Sequence, residues 1–203
     1  MSKLILYKFP KTYDIQQMKK EIEDNEDLFS LITNRQKEYH SQRNTQTIFL
    51  RKGIPEKDKP VYEWQGVEDS DYYATKFPTI KNFLDEFIEI FGGNLHRVLI
   101  IKLPLNLRVD EHIDTGQYYQ TKDRFHLVIR GKYMYGMKGL SPVIFKEGEL
   151  WFFENQVIHW SKTIGDIDRY AIIFDVENSN WREFVSDEIN NKLTNVPETD
   201  MIK

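Results

Sequence analysis

Cysteine is absent from the 203-residue chain. That excludes disulfide scaffolds, Cys-ligated zinc, iron–sulfur clusters and thiol catalysis. Long apolar runs are absent too, since no stretch approaches the ~20 residues of a membrane span. The start, Met1–Lys8, has no long apolar core and no small-residue cleavage site, so no signal peptide is expected and cytoplasm is the expected compartment. Charge of one sign is not in excess: 28 Lys and Arg stand against 32 Asp and Glu, a net −4. The strong positive field that drives non-specific nucleic-acid binding is therefore missing, and neither nucleic acid nor membrane is an expected partner. Glycine (10) and proline (7) are too few for a collagen-like or low-complexity chain. What remains is an ordinary globular composition, 40% hydrophobic and 30% charged, long enough for one sizeable core.

The pattern changes near Gly92-Gly93. Before it the chain reads as partly helical. Asp14 is a candidate N-cap for a helix carrying Ile15, Met18 and Ile22 at helical spacing, and Thr47–Arg51 reads as a strand. Residues 34–46 are polar and ambiguous. Residues 53–78, with Tyr62, Trp64, Tyr72 and Tyr73, read as a long aromatic loop, a candidate lid or binding loop or simply surface aromatics. The clearest helix covers 79–91, where Ile80, Phe83, Leu84, Phe87, Ile88 and Phe91 form one stripe that Gly92 ends. After it come short β-type runs: Arg97–Leu103, Arg124–Arg130, Lys132–Met137, Leu150–Phe153, Val157–Trp160 and Arg169–Val176. With turn residues and no helix between them, they indicate an antiparallel sandwich or barrel. Asn180 and Glu183 form a possible capping box for a last helix carrying Trp181, Phe184, Val185, Ile189 and Leu193. That helix either packs on the core of a monomer or forms a contact in a homodimer. The tail from Pro197 is expected to be loose.

Five histidines are present, four of them after Gly93 in the β-rich half. His112 and Asp114 are two residues apart, so in extended structure both project to one face. They would supply two legs of the 2-His-1-carboxylate set that leaves open positions on octahedral Fe(II). Alone the motif is weak, because a chain with this many acids produces a His-x-acid match about once by chance. His159 is the candidate third leg, although a histidine between aromatics is ordinarily a satisfied core residue. Arg169 changes that balance. If a hairpin is centred near Ile164, Arg169 stands across from His159 with Cβ atoms roughly 4.5–5.5 Å apart. The apolar strand Tyr170–Val176 implies that Arg169 is buried, and a buried charge needs a partner. Its planar fork suits the far carboxylate of a dicarboxylate that chelates the metal with its other end, the form of 2-oxoglutarate. Arg124 and His126 share one strand face, while Phe125, Leu127 and Ile129 share the other, facing the helices.

Four segments resemble the aspartyl/asparaginyl β-hydroxylase and proline hydroxylase family of Fe(II)/2-oxoglutarate dioxygenases. They are His112-Ile113-Asp114, Arg124-Phe125-His126-Leu127, Gly148–Phe153 with His159, and Gly165–Arg169 leading into Ile173-Phe174-Asp175-Val176. The likeness covers about residues 97–176. It implies a double-stranded β-helix (jelly roll, cupin-like) core with flanking helices. It implies His112, Asp114 and His159 as the catalytic metal ligands. Arg169, Arg124 and His126 would bind the cosubstrate. Some aspartyl/asparaginyl members lack the carboxylate ligand. This chain has Asp114 and so looks closer to the proline-hydroxylase-like branch.

The expected organisation is one domain: a helical and loop-rich part over 1–95, a catalytic core over 96–176, and a C-terminal helix and tail over 177–203. The expected activity is hydroxylation of an amino-acid side chain, free or peptidyl, of proline or Asp/Asn type. It would use Fe(II), 2-oxoglutarate and O2 and release succinate and CO2. Tyr118 and Tyr119 are candidates for a substrate wall. Two competing readings are a non-catalytic jelly roll that binds a carboxylate or a protein, and a cupin-like metalloenzyme of other chemistry.

Overall fold

The computed structural model describes residues 4–32, 36–37, 39–60 and 63–184. The strands are β1 (Leu6–Thr12), β2 (Gln46–Gly53), β3 (Val67–Asp69), β4 (Asn94–Leu103), β5 (Arg108–His112), β6 (Lys122–Arg130), β7 (Lys132–Met137), β8 (Val143–Phe145), β9 (Glu149–Phe153), β10 (His159–Ile164) and β11 (Arg169–Glu177). The helices are α1 (Gln16–Glu23), α2 (Tyr73–Lys76), α3 (Pro78–Phe91) and α4 (Trp181–Phe184). A seven-stranded sheet has the order β1-β9-β6-β11-β4-β2-β3, and a four-stranded sheet the order β5-β10-β7-β8. Every pairing is antiparallel. From β4 onward the chain crosses repeatedly between the two sheets, and the eight strands β4–β11 close a double-stranded β-helix.

Alternation along the strands decides which face meets what. On β6, Phe125, Leu127 and Ile129 point outward into a large cluster with α3 residues Ile80, Phe83, Leu84 and Phe87. Phe87 packs at ring-centroid distances of 4.9 Å from Phe125 and 5.0 Å from Phe174. Burying each such side chain contributes about 1.5–3 kcal/mol. Helix α3 has Pro78 in its first turn and ends at Gly92 with φ 64°. Its exposed N–H groups are capped from outside: the Glu21 carboxylate on α1 accepts from Thr79 N (2.8 Å) and Ile80 N (3.3 Å). Asp14 supports the start of α1, accepting from Gln16 N at 3.1 Å.

The opposite face of the seven-stranded sheet looks into the sandwich. There one apolar cluster holds Val128, Tyr133, Tyr135, Met137, Val143, Phe145, Trp151 and Phe153. A smaller one holds Leu99, Ile101 and Ile173.

Several expectations are corrected. Residues 53–78 are not one loop: β3 pairs with β2 as a hairpin (Gly53↔Val67), and α2 follows. Tyr73 is buried in the helix-side core, and the Tyr72 hydroxyl donates to Phe49 O at 2.9 Å, so both are packing residues. Tyr62 lies outside the described residues. The expected strand at 157–160 begins instead at His159 and runs to Ile164. β10 and β11 are not a hairpin, because they belong to opposite sheets. The strands β1, β3, β5 and β8 carry no clear alternating run in the sequence. At α4 the Ser179 hydroxyl accepts from Trp181 N at 3.4 Å. Val185, Ile189, Leu193 and the tail lie outside the described residues. Among the described residues no helix is long and apolar enough to cross a membrane.

Candidate metal centre

His112 ends β5 and His159 begins β10, and the two are direct cross-strand partners. Their ring centroids lie 4.3 Å apart. Asp114 follows β5 and is tied to the other side of the site by its N–H, which donates to Asn155 O at 3.0 Å. One ligand atom from each of His112, Asp114 and His159 falls within 4.8 Å of the others. Three residues, the first and last of them 47 positions apart in sequence, thus meet at one point.

Hydrogen bonding sets the tautomer of both rings. His112 Nδ1 lies 2.8 Å from Asp110 O, and His159 Nδ1 lies 2.8 Å from Val157 O. A carbonyl only accepts, so each Nδ1 carries the proton and each Nε2 presents a lone pair. Burial lowers the His159 pKa to about 4, with Asp114 opposing that shift, so the ring is neutral at pH 7. Two imidazoles with Nε2 turned away from their backbone partners, together with one carboxylate, form a donor set suited to a divalent transition metal. His112 Nε2 also lies 3.2 Å from the Gln42 amide nitrogen and 3.7 Å from Asp114 Oδ1.

A cavity is lined by these three residues together with Gln42, Arg124, His126, Trp160, Ser161, Arg169 and several apolar side chains. Arg169, at the start of β11, is 2% exposed. It reaches across the sandwich, where its Nη1 donates to Ser161 Oγ on β10 at 3.1 Å and its guanidinium lies 4.2 Å from the Tyr133 ring on β7. The predicted cross-strand pairing with His159 is thus replaced by contact across the interior. Burial pulls the Arg169 pKa down, and Tyr133 and Tyr135 only partly offset it. No carboxylate among the described residues pairs with it, and its Nε has no partner. The Tyr135 hydroxyl nearby is likewise buried without a partner.

Arg124 and His126 sit side by side with this cavity on β6, but in different company. Burial opposes the Arg124 charge, and Asp175 and Asp114 outweigh it, holding the guanidinium protonated well above its usual range. His126 Nδ1 lies 3.0 Å from the Tyr133 hydroxyl, and its ring packs edge-on against Phe153 at 4.6 Å. Tyr118 is fully buried, and Tyr119 lies 4.8 Å from the Arg124 guanidinium. Sequence reasoning assigned no role to Gln42, Tyr133, Tyr135, Ser161 or Asp175. Only Asp175 left a signal, an acid inside an apolar strand.

No family model and no curated protein matches the chain. Among solved structures, a 2OG-Fe(II) oxygenase family oxidoreductase from Burkholderia pseudomallei aligns with a TM-score of 0.48 and 13% identity, over 67% of this chain and 69% of that one. A cupin-like protein from Thermotoga maritima aligns with a TM-score of 0.34 and 21% identity, over 40% and 57%. The Cnp3 cupin domain of Schizosaccharomyces pombe aligns with a TM-score of 0.35 and 8% identity, over 50% and 65%. No activity passes from those proteins to this chain at such similarities.

Proposed function

We propose that the chain is an Fe(II)- and 2-oxoglutarate-dependent oxygenase that hydroxylates an amino-acid side chain, free or peptidyl. The observation that carries this reading is the pairing of a His-Asp-His group with a buried arginine that has no acid of its own, both lining one cavity. Charge supports it. Asp114, Asp175, Arg124 and Arg169 sum to zero, and burial keeps His159 neutral. A bound divalent cation makes the cavity +2, which a dicarboxylate dianion neutralises.

His112, Asp114 and His159 would hold the iron. Arg169, with the Ser161 hydroxyl beside it, would grip the far carboxylate of the keto acid in a fork. The chemistry an iron supplies there is oxidative decarboxylation of the keto acid to succinate and CO2 with insertion of one O2-derived oxygen atom into a C–H bond. The apolar clusters on either side of the cavity keep bulk water from the reacting groups. Proline or Asp/Asn-type side chains follow from the resemblance of the four sequence segments, and the residues that would meet the substrate are Gln42 and Trp160 at the cavity wall.

The test is succinate release from 2-oxoglutarate under a screen of amino acids and peptides, with mass spectrometry for a product about 16 Da heavier. Asp114→Ala and His159→Ala are expected to abolish turnover. Wild-type turnover in both variants overturns the assignment. No tight, stoichiometric site in an anaerobic Fe(II) titration favours a non-catalytic carboxylate- or protein-binding jelly roll instead.

A further inference from the structure

Asp175 is a buried acid, 1% exposed, flanked on β11 by the apolar residues Phe174 and Val176. A charge in such a place is costly unless it is paired. Its Oδ1 accepts from Arg124 Nε at 2.7 Å and its Oδ2 from Arg124 Nη2 at 2.9 Å, a two-pronged pairing. Oδ2 also accepts from the Tyr118 hydroxyl at 3.0 Å. Tyr118 is itself held: its ring lies 3.8 Å from the Arg97 guanidinium and 4.6 Å from the Lys122 ammonium, and its oxygen accepts from Arg97 N at 3.2 Å.

On the other side, Arg124 reaches the metal centre through Nη1, which donates to Asp114 Oδ2 at 2.5 Å. Asp114 Oδ1 is the oxygen on the histidine side, 3.7 Å from His112 Nε2. We propose that Asp175, supported by Tyr118, is a positioning residue for the metal centre: it clamps Arg124 in the orientation that engages Asp114 through Oδ2 and keeps Oδ1 turned toward His112. This deepens the metal-centre reading and rests on it. A carboxylate facing a lone buried guanidinium takes both of its prongs. Asp114 would then give both oxygens to Arg124 and lose its value as a ligand. With Asp175 on the Nε and Nη2 prongs, that capture is opposed. One guanidinium shared by two carboxylates also leaves a residual negative charge beside the histidines, which favours a cation there.

The experiment is titration of the full chain with Co(II) alone, read by calorimetry and by the visible absorption of the bound ion. Asp175→Asn is expected to weaken Co(II) binding about ten- to hundredfold, as loss of a partner behind a ligand does, and to change the absorption band. In an Asp114→Ala background the same substitution is expected to weaken binding no further, because its route to the metal is gone. A folded Asp175→Asn variant with unchanged affinity and spectrum overturns the proposal. So does an equal loss in both backgrounds, which marks a general structural effect. Tyr118→Phe removes only the hydroxyl and decides the matter if Asp175→Asn does not fold: a loss of about two- to tenfold is expected, and no loss overturns the proposal. If the unaltered chain has no stoichiometric Co(II) site, the metal-centre reading itself falls.

Discussion

A guanidinium with a serine hydroxyl and a tyrosine face for company, but no acid, holds its charge in the interior at a cost that a bound anion relieves. Arg169→Met keeps much of the side chain's length and removes the charge. The ligand-free variant is expected to melt no lower than the wild type, while 2-oxoglutarate binding weakens by about thirtyfold or more, the loss of one partner of a buried charged pair. Unchanged 2-oxoglutarate affinity would place the dicarboxylate elsewhere. His159 gives a second prediction at this scale. Its folded pKa of about 4 lies below the ordinary value near 6.5, so the unfolded chain binds the extra proton first as pH falls. The stabilisation from neutral His159 is therefore complete above pH ~6.5 and is lost as pH falls toward ~4, up to about 3 kcal/mol in the metal-free chain. Urea midpoints between pH 7 and pH 4 are expected to fall less steeply for His159→Gln. Parallel slopes would refute the assignment. The sequence made the spacing of His112 and Asp114 legible, and the apolar strand after Arg169 announced a buried charge. Ser161 and Tyr133 were not legible, because their contacts to Arg169 run across the gap between sheets and leave no local spacing.

Between elements, the limits of sequence reasoning are clearest at residues 164–169. Gly165-Asp166 signals a turn, and a turn serves equally well for a hairpin within one sheet or a crossing from one sheet to the other. β10 and β11 take the crossing, so the ten-residue step from His159 to Arg169 encodes a span of the sandwich and not a strand pairing. β1 was hidden for another reason. Only Tyr7 and Phe9 are buried in it, and Lys8, Pro10 and Lys11 break the pattern. Proline is tolerated there because β1 is an edge strand. Helix α3 and the strands β4, β6 and β11 were legible because their periodicity is long and one-sided. The β7–β10 pair carries the prediction at this scale. Gly136 stands opposite Trp160, and a Cβ at Gly136 would lie 2.2 Å from the indole. Gly136→Ala must push Trp160 aside, at about 1–3 kcal/mol of stability, and Trp160 lines the cavity. A lower melting temperature is expected, with a raised KM for whichever substrate the turnover screen identifies. A variant that matches the wild type in both would show that the indole does not rest on this glycine.

The site is divided between the halves of the molecule. His112, His159 and Ser161 come from the four-stranded sheet, Arg124, His126, Arg169 and Asp175 from the seven-stranded one, and Asp114 from the connection between them. A string of short strands separated by turn residues made a sandwich legible, but strand order depends on which faces meet, and period-2 alternation only says that two faces exist. A ligand pair that joins the halves should stabilise the fold more than either member alone. A metal at the histidines loads mainly one sheet and the β5 connection. A dicarboxylate running from that metal to Arg169 ties one sheet to the other. With each ligand at about a hundred times its Kd, every binding event adds about 2.7 kcal/mol, or roughly 5–10 °C for a chain of this size. Co(II) is therefore expected to raise the melting temperature by one such step and 2-oxoglutarate added with Co(II) by a second. 2-Oxoglutarate without metal is expected to add little, because its chelating end has no partner. Arg169→Met should keep the first step and lose the second, whereas Asp114→Ala should lose both. A full second step in Arg169→Met would mean that the dicarboxylate does not bridge the sheets, and a large shift with 2-oxoglutarate alone would mean that it binds without the metal.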